Sequence, residues 1–192
     1  GIQEKSVPKH DDDVVTMAVE ASENALKYAD IDPGKLDAVY IGTTSSPYTE
    51  KLISSTIAAA VGTSPNVHVA DYGSSSMAGT SALLSCVDFI ASGRGKYGLA
   101  IGSDCPIGRS GDYIELTGGA SAAAYIVGAS NTIATFENFH STSSEMWGGR
   151  FKRAGKDFSE DPGITRLTEM EYIQHVTSVA TGLIKKSGLK NE

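Results

Sequence analysis

The sequence predicts an α/β fold built on a mostly parallel, mixed sheet. Short apolar runs of strand type alternate with longer segments of helical period along most of the chain. Strands separated by helices need crossover connections, which set neighbouring strands parallel. Gly, Ala and Ser together make about a third of the residues, and they fall inside the periodic segments. Small side chains let helices lie close on a sheet, so the layers should be tight.

Taken in order, Asp11-Asp12-Asp13 precedes Val14, Met17, Ala18, Ala21 and Ala25, which recur at helical spacing. Acidic side chains there can cap free amides, and the helix should run from about 12 to Ala29, stopped by Asp32-Pro33-Gly34. Ala38-Val39-Tyr40-Ile41-Gly42 reads as a strand. Helix is expected over 51–61 with Leu52, Ile53, Ile57, Ala60 and Val61 inward and Gly62 as the C-cap. Val67–Asp71 reads as the next strand, followed by Gly73-Ser74-Ser75-Ser76 and a helix to about Ser92 with Leu83, Leu84, Val87 and Ile90 on its inner face. Tyr97–Gly102 is the third strand, and Ala120–Val127 and Thr132–Phe136 are two more. Residues from about His140 to Thr165 read as a long loop. A last helix should open at Thr168-x-x-Glu171, a capping-box spacing, and run to Gly188. The helix-first start leaves the sheet without an opening strand, so a piece of a longer protein is expected, with no internal domain boundary.

The 192 residues carry 16 Lys+Arg and 23 Asp+Glu, a net charge of −7, with 40% apolar and 20% charged residues. That composition is globular, and its acidic balance argues against a nucleic-acid partner. No apolar run approaches the roughly 20 residues that cross a bilayer. Cys86 and Cys105 are too few for a disulfide framework or a four-thiolate zinc site, and the four histidines have no ligand spacing. The expectation is a soluble, cytoplasmic protein with no membrane, metal or nucleic-acid role.

Chemistry is expected at the strand–turn–helix of residues 67–80, where a helix N-terminus favours negative charge. Ser74, Ser75 and Ser76 lie there, although Gly73-Ser74-Ser75-Ser76-Met77 lacks the closing glycine of a hydrolase elbow, and helix capping is the plainer use of such serines. Cys105 follows the third strand and is placed to line the same strand-end crevice or simply to pack. Cys86, deep in a helix, reads as a core residue. His140 offers polar lining, and Arg109 a contact for a phosphate-bearing ligand, though a solvated loop accounts for both.

Several blocks resemble a known family. Gly1–Pro8, Asp13–Ala21, Lys96–Gly102 and the stretch from Gly111-Asp112 through Ala122–Gly128 are similar to the early part of archaeal-type hydroxymethylglutaryl-CoA synthase, and the similarity runs along the whole chain. The resemblance implies a thiolase-like fold, with residues 1–192 as the N-terminal half of a layered αβαβα subunit, incomplete at both ends. It implies a place in isoprenoid biosynthesis and an acyl-CoA or CoA ligand without any other cofactor. It also implies homodimers and an assembly with acetoacetyl-CoA thiolase and a small zinc-ribbon/OB-fold protein.

In that family a cysteine takes the acetyl group of acetyl-CoA, a glutamate removes a methyl proton, and a histidine of the second half helps bind acetoacetyl-CoA. The block Ala70–Thr80 aligns with the nucleophile block through its Ala-Gly-Thr ending, which puts Ser76 at the cysteine's position. The glutamate's position is Thr44, and Met77 stands where archaeal members commonly carry lysine. A hydroxyl is scarcely ionised near neutral pH where a helix-terminal thiol is largely thiolate, and threonine cannot act as a carboxylate base. General-base catalysis alone contributes typically 10²–10⁴-fold. Two readings follow: a catalytically degenerate relative that keeps an acyl-CoA cleft and serves as a binding or partner subunit, or an acyltransferase or thioester hydrolase of altered chemistry using Ser76 or Cys105.

Overall fold

The structure is a computed structural model that describes residues 2–137, 140–145, 149–160 and 165–188. They fall into two compact units, Gly1–Thr132 and Ile133–Glu192.

Asp13 sets the first helix. Its carboxylate accepts from the amides of Val15 and Thr16, while its own amide donates to Thr16 Oγ1, closing a reciprocal cap worth roughly 1 kcal/mol. Helix α1 (Val14–Ala29) ends with Asp30 in the left-handed region, ahead of a 3₁₀ turn at Pro33–Lys35. The chain continues through β1 (Ala38–Gly42), α2 (Ile53–Val61), β2 (His68–Tyr72), α3 (Ala78–Ala91), β3 (Tyr97–Asp104), α4 (Tyr113–Thr117) and β4 (Ser121–Gly128). Strand order is β2-β1-β3-β4; the first three strands are parallel and β4 runs antiparallel to β3.

The sheet is sandwiched between unlike layers. Val39, Ile41, Leu99 and Ile101 point into one core with α1 and α2. Ala38, Tyr40 and Ala100 face the other way, onto Ala82 and Cys86 of α3. Large aliphatics on one side supply most of the burial energy, about 1.5–3 kcal/mol each. Small residues on the other let α3 sit close to the strands.

Several expectations need correction. In α2 the buried positions are Ile53, Ser54, Ile57, Ala58 and Val61, whereas Leu52 and Ala60 are exposed. The helix is rotated because Asp71 of β2 accepts from the Ile53 and Ser54 amides and pins its first turn. In α3 the fully buried row is Ala78, Ala82, Cys86 and Ile90; Leu83, Leu84 and Val87 are only half-buried, since bulk would hold the helix off the sheet. Thr132–Phe136 forms no strand, and Ile133 lies wholly in solvent. The short helix α4 falls in what the sequence reads as polar loop.

In the second unit, helix α5 spans Thr165–Ser187, so Thr168 and Glu171 lie inside it and do not open it. The described residues of the preceding loop hold one isolated bridge, Phe151 to Glu160. The remaining residues of the expected loop, 146–148 and 161–164, lie outside the described set, as does the start of Gly188's successor segment, 189–192.

Candidate functional site

β1 and β3 end side by side with identical apolar register: Ile41 pairs with Ile101 and Gly42 with Gly102. The first turn of α3 drops onto those two glycines. A Cβ on Gly42 would be driven into the backbone of Ala78 and Gly79, so only glycine permits this approach, and Gly79 lies against Gly102. Above them opens a cavity of about 360 Å³, lined by Ser76, Gly79 and Thr80 from the start of α3, by Gly42 and Gly102–Asp104 from the strand ends, and by Ser121–Ala123 of β4. The carboxyl ends of parallel strands are where open α/β sheets bind ligands.

Ser76 is exposed in the tight turn between β2 and α3. Ser74 takes the left-handed conformation (φ 62°) that makes the turn, at a cost of about 1 kcal/mol for a non-glycine residue. Ser75, not Ser76, does the local capping: its Oγ accepts from the Met77 amide and its carbonyl from the Ala78 amide. Ser76 Oγ is thus left to the cavity. The amides of Gly79 and Thr80, next along the turn, meet no acceptor among the described residues and are the positive end of the α3 dipole.

Thr44 lies just beyond β1, half-buried, and donates through Oγ1 to Asp104 Oδ1 at 3.0 Å. The same oxygen accepts from the Thr44 amide (2.7 Å), Thr43 Oγ1 (3.1 Å) and Ser45 Oγ (2.9 Å). Ser45 Oγ in turn accepts from the Cys105 amide at 3.3 Å. Charge-assisted bonds of this kind are the stronger class, and four on one oxygen fix the turn after β1 to the end of β3.

The remaining expected site residues are placed differently. Cys105 is half-buried against the α1-side core and is not among the cavity's lining residues. Burial first, then the Asp104 and Asp13 carboxylates, push its thiol above the ordinary value, which lowers its nucleophilicity near neutral pH. Arg109 is exposed in the loop after β3, where its carbonyl accepts from the Asp112 amide. His140 belongs to the second unit, exposed, its carbonyl accepting from Lys186 Nζ. A larger hollow of about 560 Å³ lies beside the end of α1, among Glu23, Lys27, Asp30, Asp32 and Lys35, with no serine or cysteine among its lining residues. Among the described residues no group of three or more His, Cys, Asp or Glu could hold a metal ion, and no helix is long and apolar enough to cross a membrane.

Sequence reading missed Asp104, Thr80 and Ser121. The signal for Asp104 was present: Ile41-Gly42-Thr43-Thr44 and Ile101-Gly102-Ser103-Asp104 share a pattern, and parallel pairing in register sets Thr44 beside Asp104.

Comparison with known proteins gives the following. No protein-family model matches the chain. It is 42% identical to hydroxymethylglutaryl-CoA synthase of Methanocaldococcus jannaschii over 195 aligned residues, covering 100% of this chain and 55% of that protein. In structure it resembles PksG, an HMG-CoA synthase from Bacillus subtilis, with a TM-score of 0.84 at 22% identity over 97% of this chain and 46% of the other. It also resembles MvaS in complex with 3-hydroxy-3-methylglutaryl coenzyme A, with a TM-score of 0.84 at 20% identity over 94% of this chain and 44% of the other. The chain therefore spans about half the length of the curated relatives it matches. It has the thiolase-like fold and is, along its whole length, a homologue of the archaeal hydroxymethylglutaryl-CoA synthases.

Proposed function

We propose that the cavity at the start of α3 holds the thioester end of a coenzyme A thioester, and that this chain does so without carrying out the synthase's condensation. The observation that carries this reading is Ser76: it lines the cavity at the position aligned with the family's nucleophilic cysteine, with its Oγ uncommitted and two free helix amides beside it. Those amides are suited to a thioester carbonyl oxygen. The binding of a CoA compound by MvaS, one of the structurally similar proteins, agrees with the ligand class.

The chemistry argues against condensation. Ser76 offers a hydroxyl that is almost wholly protonated near neutral pH, and an oxygen ester would leave the acetyl methyl less acidic than a thioester does. The aligned base position, Thr44, has no carboxylate, and its hydroxyl is spent on Asp104. The protein then serves as a cytoplasmic binding or partner subunit, as part of a dimer or of an assembly with a thiolase and a zinc-ribbon/OB-fold protein.

The test is calorimetric titration of the full chain with acetyl-CoA, repeated on Thr80→Trp, which fills the cavity from its rim. Saturable binding lost in the variant is expected; equal binding by both proteins would place the ligand elsewhere.

A further inference from the structure

Gly79 and Gly102 line the cavity, and neither the backbone nor the packing requires glycine at either position. We propose that Gly79 and Gly102 hold open the acyl end of the site, and that they set it for a short linear acyl chain, butyryl in size, in preference to acetyl. This rests on the reading of the cavity as a coenzyme A thioester site, and it names the acyl class taken and the residues that select it.

Inside a helix or strand, alanine is more stable than glycine unless the backbone needs a positive φ or another group approaches closely. On the α3 side of the sheet, Gly42 and Gly98 are glycines of close approach. A Cβ would strike the Ala78 backbone from Gly42 and Cys86 Sγ from Gly98. Gly79, in the first turn of α3, and Gly102, within β3, are different. Neither takes a positive φ. A Cβ on Gly79 would meet the Gly102 Cα at 3.5 Å, and one on Gly102 would meet the Gly79 Cα at 3.7 Å. Those are ordinary van der Waals contacts, so alanine fits the fold at both places, and α3 would gain helix propensity from it. What the missing methyls leave is space, and that space belongs to the cavity that both residues line.

The lining indicates what fills it. Strand pairing sets Gly42, Gly102 and Ala123 side by side, a floor of hydrocarbon with no polar side chain. A thioester carbonyl held by the Gly79 and Thr80 amides starts its acyl chain beside Gly79, and the way onward is over Gly102. The cavity's 360 Å³ holds about a dozen water-sized groups at roughly 30 Å³ each, of which the sulfur, carbonyl and methyl of an acetyl thioester fill a small part.

Calorimetric titration of the full chain with free CoA, acetyl-CoA and butyryl-CoA tests this, repeated on Gly102→Ala and Gly79→Ala alongside urea unfolding. The unmodified chain should bind butyryl-CoA about tenfold more tightly than acetyl-CoA, because the added methylenes are buried on the floor. Each variant should keep its affinity for free CoA and lose about tenfold or more for butyryl-CoA, with a urea midpoint no lower than the original's. Gly79→Ala decides the matter should Gly102→Ala fold poorly. Equal affinity of the unmodified chain for the two thioesters would overturn the proposal. So would a loss that free CoA shares, or one that accompanies a lowered midpoint in both variants, the outcome for glycines needed by the packing. Binding of both thioesters with the preference unaltered in the variants would remove this proposal alone. Failure of the unmodified chain to bind any of the three compounds would remove the coenzyme A reading of the cavity, and this proposal with it.

Discussion

Thr44 and Asp104 meet across two parallel strands, Thr44 Oγ1 donating to Asp104 Oδ1 at 3.0 Å. The contact follows from register. Gly42 pairs with Gly102, and two residues further on, in the turn just beyond β1 and at the last residue of β3, the side chains come within hydrogen-bond reach. Thr44, which the resemblance sets at the place of the family's glutamate, thus holds a hydroxyl already engaged by a carboxylate, while Ser76 lines the same cavity as Asp104.

Replacing Ser76 with Cys should create a reactive thiol. The new side chain would stand exposed beside unpaired helix amides, which depress a thiol's pKa, whereas burial and two carboxylates push Cys105 the other way. Alkylation by iodoacetamide near neutral pH should be faster at residue 76 than at Cys105 by about tenfold or more, read by peptide mass spectrometry. Equal rates would mean that the start of α3 does not polarise the cavity.

Gly42→Ala should destabilise the protein by about 1–3 kcal/mol in urea unfolding, because the added methyl would lift the first turn of α3 off β1. Affinity for acetyl-CoA should fall in parallel, since that turn is one wall of the cavity. A variant as stable as the original would contradict the close packing described for Gly42.

Alkaline pH should weaken the fold through Cys86. Burial pushes its thiol from an ordinary 9.0 up to about 12, so the folded state holds this proton more tightly than the unfolded chain. The contribution is complete below about pH 9 and is lost as pH rises toward 12. Burial, followed by Tyr72 and Cys86, raises Tyr40 in the same direction. Urea midpoints should therefore decline above pH 9, and Cys86→Ala, though less stable throughout, should show a shallower decline. An equal slope in both proteins would refute the assignment.

Much of the fold was legible because period and punctuation agree along the first unit. Ala38–Gly42 is a strand with the bounds its apolar run marks, Asp13 caps α1, and Gly62 ends α2 in the left-handed region. Helix phase was less legible. Which face of α2 is buried depends on Asp71, a residue from another strand, and which face of α3 is buried depends on how close the sheet must come. Small residues carry little hydrophobic signal, so the Ala78–Ala82–Cys86 row was overshadowed by Leu83 and Leu84. At the site, the strand–turn–helix was readable from local sequence, whereas only the family resemblance set Ser76 apart from Ser74 and Ser75. The Asp104 cluster was not readable, because it forms between residues some 60 positions apart and only strand pairing joins them.

The most direct test of the account is incubation of the full chain with acetyl-CoA radiolabelled in the acetyl group, followed by equilibrium binding and then denaturation. Saturable binding that leaves no label on the denatured protein is the predicted result. Stable, stoichiometric label on Ser76 or Cys105 would contradict it and show an acyl-enzyme of altered chemistry.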